Sequence, residues 1–290
     1  MTRALLLLLA LLSTVARALG PEALTLPGYR VHLHVSEELE PDLLRALARP
    51  RTVLWVTTRS NALKASLLER LPLFGESYVQ FHPPILESHG AQLQRVPRTG
   101  VWLRAEELSA PTLFRLGIRP LAAELSGALT EPLRAGLRAS RPSRIHWSPR
   151  TVPSLAEWGD FAGLPGSKVV EGALLGPNLA RCDAALPAGI ARIQVGTEIR
   201  DVSAIPSQLP GCGLGLLAEV SPDVSDAGLS ALALRVPLLE LRVEVGASTE
   251  RARAAVELLQ RLEQAAGSGH TFLTVDRLNG YLLAPDGAGP

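Results

Sequence analysis

The sequence has no excess of charge of either sign. Its 29 basic and 28 acidic side chains nearly balance, which leaves no electrostatic footprint for nucleic acid or for an anionic membrane surface. Lysine is almost missing. Lys64 and Lys168 are the only two, and the remaining basic charge is arginine, a composition bias rather than a sign of chemistry. Beyond the N-terminus no stretch approaches the roughly 18 apolar residues that a membrane-spanning helix needs. The motifs G-x-S-x-G, H-E-x-x-H and C-x-x-C do not occur, so none of the sequence signatures of a serine hydrolase elbow, a zinc protease or a redox dithiol is present. No N-x-[ST] sequon occurs either, since Asn61, Asn178 and Asn279 all lack Ser or Thr two residues on. The spaced glycines Gly211, Gly213 and Gly215 stand before a strand-like run. A phosphate loop follows its strand, so these read as turn chemistry.

What is present begins with a leader. Arg3 supplies a positive start, residues 4–12 form an uninterrupted apolar run, and Ala16 and Ala18 occupy the −3 and −1 places of an A-x-A cleavage site. The apolar run is too short to cross a bilayer, and no cysteine follows it that would take a lipid anchor. Residues 1–18 are therefore expected to be a signal peptide. The expected mature chain, residues 19–284 with a disordered tail at 285–290, is periplasmic or secreted. An oxidising compartment allows a disulfide between Cys182 and Cys212, the two cysteines of the chain, and buried free thiols are the alternative.

The mature part is repetitive. Short runs with alternating apolar residues recur at 30–36, 52–58, 77–83, 100–106, 118–125, 143–149, 168–174, 191–198, 214–220, 238–245 and 270–276. With Leu33, Leu54, Val79, Leu103, Leu121, Ile145, Val169, Ile193, Leu216, Leu241 and Leu273 as markers, most steps lie near 24 residues. Period-2 alternation argues for strands. Helical patterns lie between them, at 61–71, 109–116, 130–139, 225–234 and 248–266. Ser60, Thr130, Ser225 and Ser248 stand at expected helix starts, and Gly or Pro precedes many of the strands. Strand, cap, helix and turn in that order predict parallel strands joined by right-handed crossovers, a single α/β repeat domain.

Such units build either an open solenoid or a closed barrel. About 11 units are too many for a plain TIM-type (β/α)8 barrel. Polar residues on the second strand face, namely Arg104, Arg119, His146, Gln194, Glu240 and Arg242, argue for a sheet open to solvent on one side, because barrel strands are usually apolar on both faces. Residues 224–245, with an Asp-Ala-Gly-Leu helix start and Leu-x-x-Leu spacing of Leu238 and Leu241 before the strand Leu241-Arg242-Val243, resemble one unit of a bacterial leucine-rich repeat protein. Residues 190–205 resemble it more weakly. That resemblance implies a leucine-rich-repeat-like solenoid of α/β units, with Gln194 and Arg242 on an exposed face. A degenerate TIM-type barrel is the alternative.

Two groups of residues are candidates for chemistry. The carboxylates at strand ends, Glu107, Glu124, Glu198, Glu219 and Glu244, would sit at the rim of a barrel, where a pair can act as acid and base on a glycosidic bond. In a solenoid they form a solvated acidic stripe. His32 and His34 form H-x-H on the first strand and share one face, similar to the histidine pair of amidohydrolase-type metal barrels. Such a centre needs further ligands, for which His82, His146, His270 and Asp276 are the candidates. The acidic residue those families carry just before the pair is replaced here by Arg30 and Val31. No metal or other cofactor is expected. Trp55, Trp102 and Trp147 lie in strand runs and are expected to pack rather than line a sugar groove.

These features point first to an exported, non-catalytic interaction module whose partner is a protein or a polysaccharide, and second to a secreted barrel hydrolase acting on glycan. N-terminal sequencing of exported material should find the mature chain starting at or near Leu19. Retention of Met1, or extraction only with detergent, would refute the leader.

Overall fold

The computed structural model describes residues 28–171 apart from 61, 97, 118 and 152, together with 193–198, 215–233, 239–267, 275–276 and 281–282. Residues 1–18, expected to be a leader, residues 285–290, both cysteines and His270 lie outside the described residues. The strands are β1 (Tyr29–Ser36), β2 (Thr52–Thr57), β3 (Glu76–Gln80), β4 (Thr99–Arg104), β5 (Leu121–Ser126), β6 (Arg144–Ser148), β7 (Ser167–Glu171), β8 (Ile193–Glu198), β9 (Gly215–Val220) and β10 (Leu239–Gly246). The helices are α1 (Pro41–Leu47), α2 (Ala65–Leu68), α3 (Glu87–Leu93), α4 (Ala110–Leu116), α5 (Glu131–Ser140), α6 (Leu155–Ala162), α7 (Asp226–Ala233) and α8 (Thr249–Gly267).

Every strand pairs in parallel with its neighbours in the chain, and β10 pairs in parallel with β1. The sheet is thus a closed α/β barrel of ten strands. This corrects the solenoid. The first and last strands have no open edge to present, because Tyr29 to His34 run in register with Leu239 to Glu244. Of the final expected repeat strand, 270–276, only the last two residues are among those described, and they do not join the ring. These two, Val275–Asp276, pair instead with Tyr281–Leu282 in a separate antiparallel ribbon.

Alternation explains the two cores. On β1, Val31, Leu33 and Val35 face outward and are buried under the helices, as are Leu54 and Val56, Leu103, Ile145, Leu241 and Val243 on other strands. Leu44 and Leu47 of α1, Leu229 and Leu232 of α7 and Leu258, Leu259 and Leu262 of α8 belong to the same layer. The helix starts follow local rules: Ser225 Oγ accepts from the Gly228 N–H at 3.1 Å and Ser248 Oγ from the Arg251 N–H at 3.2 Å. Two local expectations fail. Val169 is in register with His146, not with Ile145, so it stands out of phase with the outer ladder. Ser60 does not cap a helix. Its hydroxyl and amide, with the Arg59 amide, bind the buried Glu37 carboxylate at 2.8–3.0 Å and tie the loop after β2 to the end of β1.

The second faces of the strands point into the lumen. Val53, Trp55, Tyr78, Trp102 and Ala122 form a small apolar cluster there, separate from the outer layer. Gly100 makes room for it, since a Cβ at this position would stand 2.6 Å from the Tyr78 ring. Arg242, Glu240 and His146 are lumen residues as well, which corrects the exposed face expected for Arg242. Arg104 ends β4 at the solvent-exposed mouth. Arg119 lies just ahead of β5, where its guanidinium donates to the carbonyls of Leu116, Leu93 and Thr99. The side chains of Ile193, Gln194 and Leu216 lie outside the described residues. Replacing Leu241, which is fully buried in the outer layer, by Ala should cost about 2–5 kcal/mol. Replacing Phe114, which is 87% exposed on α4, should change stability by less than about 0.5 kcal/mol. Paired thermal melts check both.

Candidate functional site

The lumen is built in layers, because parallel tilted strands contribute alternate residues at each height. Nearest the N-terminal end lie Arg30 and Glu76, then Arg144 and Glu240. Above them come His32 and Tyr78, then Trp55, Trp102, His146 and Arg242. His34, Glu124 and Glu219 follow, and Arg104 and Glu244 form the mouth. This order follows from the register of each strand on the next.

The lower half is a polar network centred on Glu240, one of whose carboxylate oxygens has no hydrogen-bond partner. Glu240 is fully buried, and one of its carboxylate oxygens accepts from His32 Nε2 at 2.9 Å and from Arg144 at 3.2 Å. Arg30 stands 4.0 Å from the other oxygen and 4.0 Å from Glu76. Trp55 Nε1 donates to His32 Nδ1 at 3.0 Å. An indole is only ever a donor, so Nδ1 carries no proton and the hydrogen sits on Nε2, aimed at Glu240. Tyr78 donates to Glu76 at 2.7 Å and meets Ser143 Oγ at 3.0 Å. Burial alone would raise the Glu240 pKa, but the Arg144 charge and then the His32 contact outweigh it and hold the carboxyl well below its usual range. Burial likewise opposes the Arg144 charge, and Glu240 and Glu76 more than restore it. Removing one partner of such a set leaves the other charged and unpaired in the interior, which is strongly destabilising.

The upper half is built differently. His34 stacks on Trp55 at 5.5 Å and meets Trp102 edge-on at 5.6 Å, and Trp55 also lies 5.5 Å from His146. The rings leave some polar atoms unmet. His146 Nε2 and Arg242 Nε are buried without a hydrogen-bond partner. Arg242 approaches Glu219 only as an ion pair at 3.8 Å. Burial, then the Arg242 charge, pushes His34 well below the ordinary histidine value, and burial followed by Arg144 does the same to His146. Burial raises Glu124, with Arg104 and Arg242 opposing. Burial also raises Glu244, opposed by Arg242 and reinforced by Glu219.

Of the carboxylates singled out by sequence, the structure brings Glu124, Glu219 and Glu244 to the upper lumen and mouth around Arg242. Glu107 is not with them. It lies in a turn after β4, where its carboxylate accepts from the Arg104 amide at 2.8 Å, and burial raises its pKa. The side chain of Glu198 lies outside the described residues. Of the histidines, His32, His34 and His146 share the lumen and His82 is exposed beyond β3. His32 is committed to Glu240 and Trp55. Asp276 belongs to the separate ribbon, with its side chain outside the described residues. Among the described residues no group of three or more His, Cys, Asp or Glu side chains is placed to hold a metal ion. Sequence reasoning missed the sites of Glu240, Arg144 and Tyr78. The available signal was a polar residue at every second position of β1, β6 and β10.

The depressed histidines set an acid limit on stability. His34 and His146 bind protons more weakly folded than unfolded, where their pKa is near 6.5. Stability is therefore complete above that value and falls as pH drops below it toward the folded pKa values. Glu240, depressed below its ordinary 4.5, adds a further loss in more acid solution, as pH falls through its folded value. The melting temperature should drop between about pH 7 and about pH 5, and a His34→Gln, His146→Gln double variant should drop less. An equal drop in both proteins would refute the assignment.

No protein-family model matches the chain and no match was found among curated proteins, so the functional reading rests on the geometry of the lumen and mouth.

Proposed function

We propose that the protein is an exported hydrolase that cleaves a glycosidic bond at the mouth of the barrel. The observation that carries this reading is one lumen layer with two carboxylates in unlike settings. Glu124 is half-buried with a raised pKa, while Glu219 is paired with Arg242. Unlike environments for two carboxyl groups are what separates an acid from a base. Glu124, which holds its proton more tightly than an ordinary glutamate, delivers it to the glycosidic oxygen as the C–O bond breaks. Glu219, paired with Arg242, attacks the anomeric carbon or takes the proton of the attacking water. Both residues come from the C-terminal ends of strands, where barrel enzymes carry their chemistry. A surface cleft of about 830 Å³ is lined by Glu219, Ser221, Asp223, Glu244, Ser248 and Arg251 among others, with Glu124 outside its lining. Its size and polarity suit an extended polysaccharide.

Export is part of the proposal and rests on the leader alone. The competing reading is a non-catalytic module that binds protein or polysaccharide. It draws on the Arg242–Glu219 pair, which can serve recognition as well as chemistry. It has lost the open curved sheet on which a repeat protein would bind.

Release of reducing ends from cell-envelope polysaccharides and of chromophore from a panel of aryl glycosides tests the hydrolase. Glu124→Gln and Glu219→Gln should each lower turnover by about 10²–10⁴-fold while melting temperature stays near that of the wild type. Absence of turnover, with polysaccharide binding equal in wild type and both variants, would replace the hydrolase by the binding module.

A further inference from the structure

The upper lumen holds polar atoms that the protein itself does not satisfy. Buried polar groups nearly always find partners; in the lower lumen both ring nitrogens of His32 are engaged, and the one orphan, Glu240 Oε1, has the Arg30 guanidinium 4.0 Å away. One layer higher, His146 Nε2 and Arg242 Nε have no hydrogen-bond partner. The His146 ring lies 5.5 Å from that of Trp55, and Arg242 Nε lies 3.8 Å from the Glu219 carboxylate. His146, Glu124, Glu219 and Arg242 are each only partly buried, so this layer opens toward the mouth. Convergent unsatisfied groups in a partly apolar recess are the mark of a small-molecule pocket.

The charges select the ligand. An anion would meet Arg242 but lie against Glu124, Glu219 and Glu244. A cation would meet those carboxylates but lie against Arg242, with two histidines beside it. A hydroxyl group both donates and accepts. One hydroxyl can accept from Arg242 Nε and donate to Glu219, and its neighbour can pair with His146 Nε2 in either tautomer. The apolar face of a sugar ring would then lie toward Trp102. We infer that His146, Arg242 and Glu219 form a recognition pocket for adjacent hydroxyl groups of an uncharged sugar ring. This rests on, and narrows, the glycosidase reading. It makes the residue bound beside the cleaved bond a neutral one, and it makes His146 a specificity-determining residue.

The test reads binding and not turnover. The full-length Glu124→Gln protein is titrated with D-glucose, D-galactose, D-mannose and their disaccharides, and with D-glucuronate and D-glucosamine as charged counterparts. Long-range ¹H–¹⁵N spectra follow the histidine ring nitrogens. A neutral sugar should bind and shift the His146 resonances, while those of His32, whose nitrogens are already engaged, stay in place. His146→Phe and Arg242→Gln should each weaken that sugar by about tenfold or more. His146→Gln, which keeps a hydrogen-bonding end, should recover part of the loss. Tighter binding of glucuronate or glucosamine, no binding of any neutral sugar, or binding that leaves His146 unshifted would overturn the pocket. Hydrolysis without a His146 response would remove the pocket and leave the hydrolase. Sugar binding at His146 in a protein that hydrolyses nothing would do the reverse.

Discussion

The constraint on which this structure depends is the width of a ten-stranded barrel. Barrel diameter grows with strand number, and eight strands enclose a space that ordinary side chains just fill. Two more strands leave a wider lumen, which branched aliphatic residues alone would not fill. Trp55, Tyr78 and Trp102 supply bulk, with a centroid separation of 4.5 Å between Trp55 and Tyr78 and 5.3 Å between Trp55 and Trp102. The remaining volume is taken by long polar side chains, and every charge among them then needs a partner. Glu240 answers that need for Arg144 and His32 at once, and Trp55 links the aromatic and ionic halves through its hydrogen bond to His32.

From this follows an asymmetry along the axis. The lower network is a floor whose ion pairs and hydrogen bonds are turned on one another. Its value lies in shape and rigidity more than in net stability, because a buried ion pair roughly cancels its own desolvation cost. On that floor stand Trp55 and His34, whose planes are 3° from parallel. The layer above leaves His146 and Arg242 unsatisfied and keeps three carboxylates in unlike surroundings. A floor of buried ion pairs and hydrogen bonds beneath a less satisfied mouth is the arrangement expected where rigid elements hold a site.

Alternation in the strands was plain in the sequence, and so was the roughly 24-residue rhythm, because period-2 patterning is a local property of the chain. Its meaning was not local. A polar residue at every second position of β6 or β10 is compatible with a solvated face or with the inside of a wide barrel. The usual expectation that barrel strands are apolar on both faces favoured the first. Glu240 illustrates the difficulty: beside Leu239 and Leu241 it reads as a surface residue, and it is fully buried. Its partners are 96 and 208 residues away in the chain, beyond any spacing rule. The carboxylates Glu124, Glu219 and Glu244 were legible as strand ends, whereas their common relation to Arg242 was not.

By itself the sequence determined the α/β class, the parallel strands and their outer apolar faces. Ser225 and Ser248 as helix caps were determined in the same way. Each depends on residues within a few positions of one another. Tertiary structure alone decided closure. Whether β10 meets β1 depends on the summed tilt and stagger of ten strands, a global quantity to which every unit contributes a little and no motif reports. Closure then converted the polar face from a surface into an interior, and with it decided which histidines, arginines and glutamates share a site.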